Sequence, residues 1–273
     1  MNNPVILVPF DGSKQALAAL PVAKALSEIE QADLHILHVG ERVMAAKELR
    51  NRLGDQSSIL DCLTIDVRAG TPAIKILQVA EGIKPKMVVL CRHSGTEPGK
   101  MLGRTAMKVL RDARCPVVLV PPERGTRSWH LQRVMVPHDG TPTTSAALLP
   151  AAELAKDGDA QLLVVHVTGI KAAPTKEPGS LTTPRYVDQP QHEWPSWAEE
   201  FVKRLACICP LGHLQVRMLL AHGDTASEIL RLAERQSADL IVLAWRGKWE
   251  PPRAATIKGI LREAYCPVMV VRT

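Results

Sequence analysis

The sequence predicts an α/β protein made of two similar, doubly wound domains in tandem. The chain has 273 residues, and a typical domain takes ~150 residues, so about two domains are expected. Val-Pro-Phe-Asp-Gly-Ser at residues 8–13 returns as Val-Pro-His-Asp-Gly-Thr at residues 136–141, an offset of 128. Each copy alternates short apolar runs with amphipathic segments. This alternation is typical of a parallel sheet with helices on both faces.

Further matches extend the repeat over both halves. His38-Val39 returns as His166-Val167 at the same offset, whereas Cys115-Pro116-Val117 returns as Cys266-Pro267-Val268 at an offset of 151. Between these two motifs, Val89-Leu90 returns as Val242-Leu243 at an offset of 153. The increase from 128 to 153 predicts an insertion of about 25 residues in the second copy. A stretch rich in proline and threonine at residues 169–195 is typical of such a loop. We therefore expect one domain at residues 1–125 and a second at residues 130–273.

Apolar runs and cap residues define the elements of the first copy in chain order. Ser13 is a good N-cap for the first helix, and Thr71-Pro72 offers an N-cap followed by proline at the first helical position. The helix before the last strand places apolar residues at helical spacing from Ala106 to Ala113, and the second copy repeats this stripe from Ile257 to Ala264. Strands of the first copy are expected at residues 5–9, 34–39, 63–68, 87–91 and 116–121.

Composition excludes several classes of protein. Apolar residues make up 46% and charged residues 23% of the chain, as in ordinary globular proteins. We find no apolar run long enough to cross a bilayer and no N-terminal signal pattern, so no membrane association is expected. The net charge of +6 fits anionic ligands, but no basic block or aromatic stacking platform indicates nucleic acid. The six cysteines have no zinc-finger spacing and are expected to be reduced thiols of a cytoplasmic protein.

Ligands of open α/β sheets bind at the carboxyl ends of the strands, where strand order reverses. Three segments of each copy meet there: the Asp-Gly-[Ser/Thr] turn, the end of the second strand, and the loop from the fourth strand to the next helix. The aspartates either contact a ligand or only bond their own turn, and the loop cations either bind phosphate or only face solvent. His38 and His166 are expected to be structural rather than catalytic. The first copy offers Pro9, Phe10, Asp11, Val39, Cys91, Arg92, Ser94, Gly95, Gly103, Arg104 and Thr105 as candidate ligand-binding residues.

The second copy offers a smaller candidate set at the corresponding positions. Its loop after the fourth strand contains Pro251-Pro252 and fewer glycines, so phosphate binding is less favoured there. No metal site and no catalytic residue is predicted in either copy, because no nucleophile elbow, HExxH helix or convincing pair of carboxylates occurs. The candidates in the second copy are Pro137, Asp139, Val167, Ala244, Arg246 and Gly247.

Together these motifs resemble a universal stress protein, present twice in one chain. The resemblance rests on the V-P-x-D-G-[ST] opening, the H-V end of the second strand, the A-x-G-x-[PA] start of a helix and the C-P-V start of the fifth strand. It implies five parallel strands per domain in the order 3-2-1-4-5, as in adenine nucleotide alpha hydrolase-like folds. It also implies that the domains form a pseudo-dimer through their fifth strands, which are expected at residues 117–120 and 268–271.

The resemblance makes ATP the candidate cofactor, since some family members bind ATP through G-x-x-G, nine residues, then G-[ST] after the fourth strand. Glycines let the backbone approach the phosphates, and the last pair opens a helix at them. The first copy keeps Gly103, but Cys91 and Ser94 replace the first two glycines. The second copy keeps only Gly247 and has Ala254-Ala255 in place of the final pair. Neither copy has the complete motif.

The sequence leaves three hypotheses about function open. The chain is a stress-response binding or regulatory module whose ligand is a protein partner or a small molecule. Alternatively, its first copy binds a nucleotide, with or without weak ATPase activity, so enzyme status stays undecided. The third hypothesis is a structural pseudo-dimer that serves as a scaffold for protein partners and that can itself form a homodimer.

Overall fold

A computed structural model describes residues 3–40, 63–93, 102–168, 178–180, 199–203, 206–207, 213–247 and 253–273. The chain divides into two compact units. Unit 1 comprises Met1–His130 together with Leu261–Arg272, and unit 2 comprises Leu131–Ile260 with Thr273. The end of the last helix and the final strand are thus grouped with the first half of the sequence.

Unit 1 contains a mixed sheet in the order β3-β2-β1-β4-β5-β10. The first five strands are parallel in the order 3-2-1-4-5, as the resemblance predicts. The final strand pairs antiparallel with β5, with Met269 opposite Val118, at the segments where pairing of fifth strands is predicted. The elements are β1 (Val5–Pro9), α1 (Ala19–Ile29), β2 (Asp33–Gly40), β3 (Leu63–Ala69), α2 (Pro72–Ile83), β4 (Met87–Cys91), α3 (Arg104–Asp112), β5 (Val117–Val120) and β10 (Val268–Arg272).

Unit 2 repeats the parallel arrangement in its described strands, which lie in the order β8-β7-β6-β9. Its helices follow the strands as they do in unit 1. The elements are β6 (Arg133–Pro137), α4 (Pro142–Ser145), α5 (Leu148–Asp157), β7 (Gln161–Thr168), β8 (Val216–His222), α6 (Thr225–Arg235), β9 (Leu240–Trp245) and α7 (Arg253–Glu263).

The core forms because the central strands are apolar on both faces. Ile6, Leu7 and Val8 of β1 are at most 1% exposed, as expected for a strand that helices cover on both sides. The predicted apolar stripe of α3 is buried from Ala106 to Ala113, and so is its repeat in α7. These stripes anchor the helices, since most helical stability in proteins comes from burying such a face.

Four of the cysteines lie in the described part of the chain, and none of them is in a disulfide: Cys91, Cys115, Cys207 and Cys266. That the cysteines are reduced thiols stays a prediction. Most of the predicted insertion, residues 169–177 and 181–195, lies outside the described residues. Among the helices that the structure describes, none combines the length and apolarity that a membrane span requires.

Candidate functional site

The carboxyl ends of β1 and β2 form the floor of the predicted crevice in unit 1. The Phe10 amide donates to the Leu37 carbonyl at 2.9 Å, which joins the end of β1 to β2. The His38 Nδ1–H donates to the Phe10 carbonyl, also at 2.9 Å. Phe10 is 2% and Val39 7% exposed, while Pro9 is half-buried. Phe10 and Val39 are therefore core residues at the ends of their strands, and His38 holds the backbone in place, which fits its predicted structural role.

Asp11 occupies the turn after β1 and is exposed to solvent. Its Oδ1 accepts a hydrogen bond from the Ser13 amide at 2.9 Å, and Ser13 Oγ accepts from the Ala16 amide at 3.1 Å. Gly12 between them has φ +84°, a conformation that glycine adopts without steric cost. The carboxylate thus supports the turn and still reaches solvent at the end of the strand.

Arg92 follows β4 and is only 6% exposed. Its Nη1 donates to the carbonyls of Leu261 at 3.3 Å and Ala264 at 3.1 Å, and its Nη2 donates to Glu123 at 3.3 Å. Burial lowers the pKa of the guanidinium, and Glu123 opposes this effect. The sequence places Arg92 among the phosphate-binding cations, whereas its contacts show a guanidinium that satisfies the last carbonyls of a helix.

Cys91 is the buried last residue of β4. Its thiol donates to the His93 carbonyl at 3.0 Å. Burial raises the pKa of this thiol to about 12, with a smaller opposing effect of the hydrogen bond. Cys91 is therefore an inert, buried thiol at neutral pH.

Gly103 is the N-cap residue of α3 and begins the helix that a phosphate would meet. Its amide donates to the Arg92 carbonyl at 3.0 Å, and no side chain caps the helix. A Cβ built on Gly103 would lie 3.5 Å from the nearest atoms, the Arg92 carbonyl oxygen and His93 Cα. This is ordinary contact, so the fold does not require glycine there. Arg104 is exposed and Thr105 half-buried in the first turn, and Ser94 and Gly95 lie outside the described residues.

Asp139 occupies the matching turn of unit 2 but is held much more tightly than Asp11. Its Oδ1 accepts from the Thr141 amide at 3.0 Å, from Thr141 Oγ1 at 2.5 Å and from Thr144 Oγ1 at 2.8 Å. Thr144 matches Ala16 of the first copy, which has no hydroxyl to offer. Asp139 therefore organises the start of a helix, the structural alternative that the sequence leaves open.

His138 takes the position that Phe10 holds in the first copy and is 4% exposed. Its Nδ1 accepts from the Gly140 amide at 2.9 Å, so the proton lies on Nε2, which donates to Ser145 Oγ at 3.0 Å. The Phe201 ring packs edge-on against the imidazole, with centroids 4.6 Å apart. Burial lowers the pKa of His138 to about 4, with Asp139 opposing and His166 adding to this shift. The imidazole is neutral at pH 7.

One threonine also contacts the cation of the second copy. Arg246 Nη2 donates to Thr143 Oγ1, and Thr143 is 7% exposed. Gly247 follows with φ +77°, and the other candidates, Pro137, Val167 and Ala244, are half-buried. Candidate selection by motif missed His138 and the threonines at 141, 143 and 144. The cluster of three threonines was a readable signal for a hydroxyl-lined turn.

No group of three or more potential metal-ligating side chains occurs among the residues that the structure describes. What the two crevices share is a carboxylate turn after the first strand. What separates them is the engagement of their polar groups by the protein itself. Unit 1 has an exposed aspartate and an uncapped helix N-terminus, and such a terminus favours anions.

Comparison with family models identifies the universal stress protein family. The model of the universal stress protein family matches residues 41–121 and 130–272. A universal stress protein of Methanocaldococcus jannaschii is 24% identical over 147 residues, covering 52% of this chain and 82% of that protein. One from Thermus aquaticus is 32% identical over 135 residues, covering 42% and 96%. A universal stress protein from Archaeoglobus fulgidus superposes with a TM-score of 0.62 at 17% identity, covering 100% of this chain and 99% of that one.

Proposed function

Because the chain belongs to the universal stress protein family, we propose that it is a stress-response binding module whose first copy binds a nucleotide. The functional copies are residues 1–125 and 130–273, and the nucleotide lies at the strand ends of the first. The second copy keeps the architecture without the ligand. The four described cysteines are in no disulfide, which supports a reducing compartment such as the cytoplasm as the place where the protein works.

The observation that carries this proposal is the unequal engagement of the two matching aspartates. Asp11 is exposed, and its described bond comes from the Ser13 amide. Asp139 Oδ1 receives three bonds from the threonines around it. A ribose hydroxyl that donates to Asp11 replaces water, whereas the same contact to Asp139 competes with existing hydrogen bonds. Exchanging water for a ligand costs less than breaking a satisfied network.

The start of α3 supplies the second half of a nucleotide site. Its first amides have no side-chain cap, and the positive end of the helix dipole attracts an anion. Arg104 stands exposed in this first turn and adds a cation, and no acidic residue opposes it there. Gly103 lets a phosphate approach the backbone more closely than any other residue would allow. The Arg92 backbone carbonyl accepts a hydrogen bond from the Gly103 amide and so fixes the backbone at the start of α3.

Calorimetric titration with Mg²⁺-ATP tests this proposal directly. We expect binding to one site per chain with a dissociation constant below 1 mM. Asp11→Asn keeps an oxygen for the turn but removes the charge, and it should weaken binding at least tenfold. Asp33→Asn is the matched control, because Asp33 is an exposed carboxylate at the opposite end of β2, and it should bind like the wild type.

The glycine variants separate the two copies. Gly103→Val should abolish binding, whereas Ala254→Val at the matching position of the second copy should not. Equal losses would refute the assignment to the first copy. Absence of binding at millimolar nucleotide would refute nucleotide binding altogether. A module for a protein partner or another small molecule, and a structural scaffold, would then remain. Phosphate release measured in the same samples decides whether bound ATP is also hydrolysed.

A further inference from the structure

A separate groove lies in unit 1, between α2 and the strands β2 and β3. It has a volume of about 370 Å³, within the range of small-molecule sites. We call it the edge groove, because β3 is the edge strand of the sheet. Its polar lining comes from His35, Asp66, Arg68, Lys75 and Gln78, with Ile83 at its apolar end.

The second copy shows what this part of the fold contains when it is not polar. In the sheet, His35 lies opposite Thr64. The residue that matches Thr64 in the second copy is Arg217, 153 residues further on, and it lies opposite Leu163. Leu163 therefore matches His35. By the same register Asp66 matches Leu219. Leu163 is 0% and Leu219 9% exposed, so the same architecture packs well with leucines at both positions. Polar groups at such positions cost stability unless they are fully bonded, which indicates that the first copy uses them.

The floor of the edge groove is an incompletely bonded polar pair. His35 Nε2 is buried and has no hydrogen-bond partner within the described residues, and Asp66 Oδ2 lies 4.0 Å away. Burial lowers the pKa of His35, with Asp66 opposing this effect. Asp66 Oδ2 accepts from Arg68 Nε at 2.9 Å. Because the Asp66 side chain is 22% exposed, its carboxylate offers an acceptor position to a ligand that donates hydrogen bonds.

The rim of the groove is cationic. The Arg68 side chain is 56% exposed, and Lys75 Nζ donates to Gln78 Oε1 at 3.2 Å. Gly70, with φ +128°, lets Lys75 fold close to the turn, since a Cβ there would lie 3.2 Å from Lys75 Cε. The second copy repeats this geometry at Gly223 but places Glu228 in the position of Lys75. The positive rim is therefore a feature of the first copy.

We propose that the edge groove binds a small polyhydroxylated organic anion, such as a sugar phosphate or a sugar acid. The anionic group pairs with Arg68 and Lys75, because a guanidinium fork suits phosphate and carboxylate equally. A ligand hydroxyl donates to the Asp66 carboxylate, whose side chain is 22% exposed, and the apolar ring face lies against Ile83. This site is separate from the strand-end crevice and does not depend on nucleotide binding.

Calorimetric titration of the full chain with glucose 6-phosphate and with gluconate tests the proposal. We expect millimolar or tighter binding of at least one of them, at least tenfold tighter than that of glucose or inorganic phosphate. Saturating Mg²⁺-ATP should leave this binding unchanged, which separates the edge groove from the nucleotide site. If neither anion binds, or if inorganic phosphate binds as tightly as both, the proposal is overturned.

Variants taken from the chain itself identify the residues. The double substitution His35→Leu with Asp66→Leu copies the second unit, and we expect a higher Tm without ligand and at least a tenfold loss of affinity. Arg68→Ala changes an exposed side chain only, so it should fold normally and also lose at least tenfold. Arg231→Ala, at the position that matches Gln78 in the second copy, is the control and should bind like the wild type. Unchanged affinity in the His35→Leu, Asp66→Leu double variant and in Arg68→Ala would overturn the proposal.

Discussion

His138 makes the stability of the protein depend on pH in a window that the structure defines. Burial lowers its pKa to about 4, from about 6.5 in an unfolded chain. Between these two values the unfolded chain binds a proton that the folded chain does not. The free energy of unfolding therefore rises with pH across this window and falls as the solution is acidified from pH 6.5 toward pH 4.

The size of the effect follows from the two pKa values. A shift of this size corresponds to about 2 kcal/mol of lost stability at pH 5 and about 3 kcal/mol at pH 4, relative to pH 7.5. Little screening by solvent is expected, because His138 is 4% exposed. The pKa values of His35 and His166 are also lowered by burial, so they add to the acid sensitivity of the whole chain.

The first copy supplies the substitution that removes this effect. His138→Phe with Ser145→Leu installs the residues found at the matching positions, Phe10 and Leu17. Unfolding in urea, followed by tryptophan fluorescence at pH 7.5 and pH 5, should show a loss on acidification that is about 2 kcal/mol smaller in this variant. Because His166 and His35 remain in both proteins, the difference isolates His138. If the variant loses as much stability as the wild type, the proposed titration of His138 is refuted.

Two other groups give sharp predictions. In folded protein at pH 8, iodoacetamide should label the exposed Cys207 and leave Cys91 unlabelled, because the pKa of Cys91 is about 12. Mass spectrometry of the peptides measures the labelling of each cysteine. Labelling of both at equal rates would contradict the prediction. Arg92→Ala should lower the free energy of unfolding in urea by about 3 kcal/mol, since it leaves the carbonyls of Leu261 and Ala264 without their donor. A change below about 1 kcal/mol would show that these contacts contribute little.

Local pattern predicts the strands well, because fully buried parallel strands are short apolar runs between turn residues. β1 and β4 have the predicted limits, and β2 extends one residue further at each end, to Asp33 and Gly40. The predicted fifth strand included Pro116, but β5 begins at Val117. Proline has no amide hydrogen to donate to a ladder, and Pro116 takes part only as an acceptor for the Val88 amide.

The candidate site is harder to predict, because its contacts join distant parts of the chain. Arg92 lies in a segment that a local pattern identifies as a cationic loop, yet its partners are 169 and 172 residues away. No spacing rule indicates that a loop cation will turn inward to a helix terminus. The contact of His138 with Phe201 joins the turn after β6 to a segment that follows the predicted insertion, and it is equally invisible to local pattern.

The duplication makes part of the site predictable after all. Aligning the two copies places Thr144 opposite Ala16, and this one difference accounts for a bond that holds Asp139 and is missing at Asp11. The same alignment places Leu163 and Leu219 opposite His35 and Asp66. Comparison of the copies thus shows where side chains have diverged on a shared backbone. It does not show which divergence serves a ligand, because that depends on burial and hydrogen bonding in three dimensions.

A crystal structure of the full chain, grown with Mg²⁺ and a non-hydrolysable ATP analogue, would show whether the first copy alone binds nucleotide. We expect nucleotide density at the strand ends of unit 1, with the ribose beside Asp11 and the phosphates at the start of α3, and no nucleotide beside Asp139. Nucleotide bound beside Asp139 with the unit 1 crevice empty would contradict this expectation.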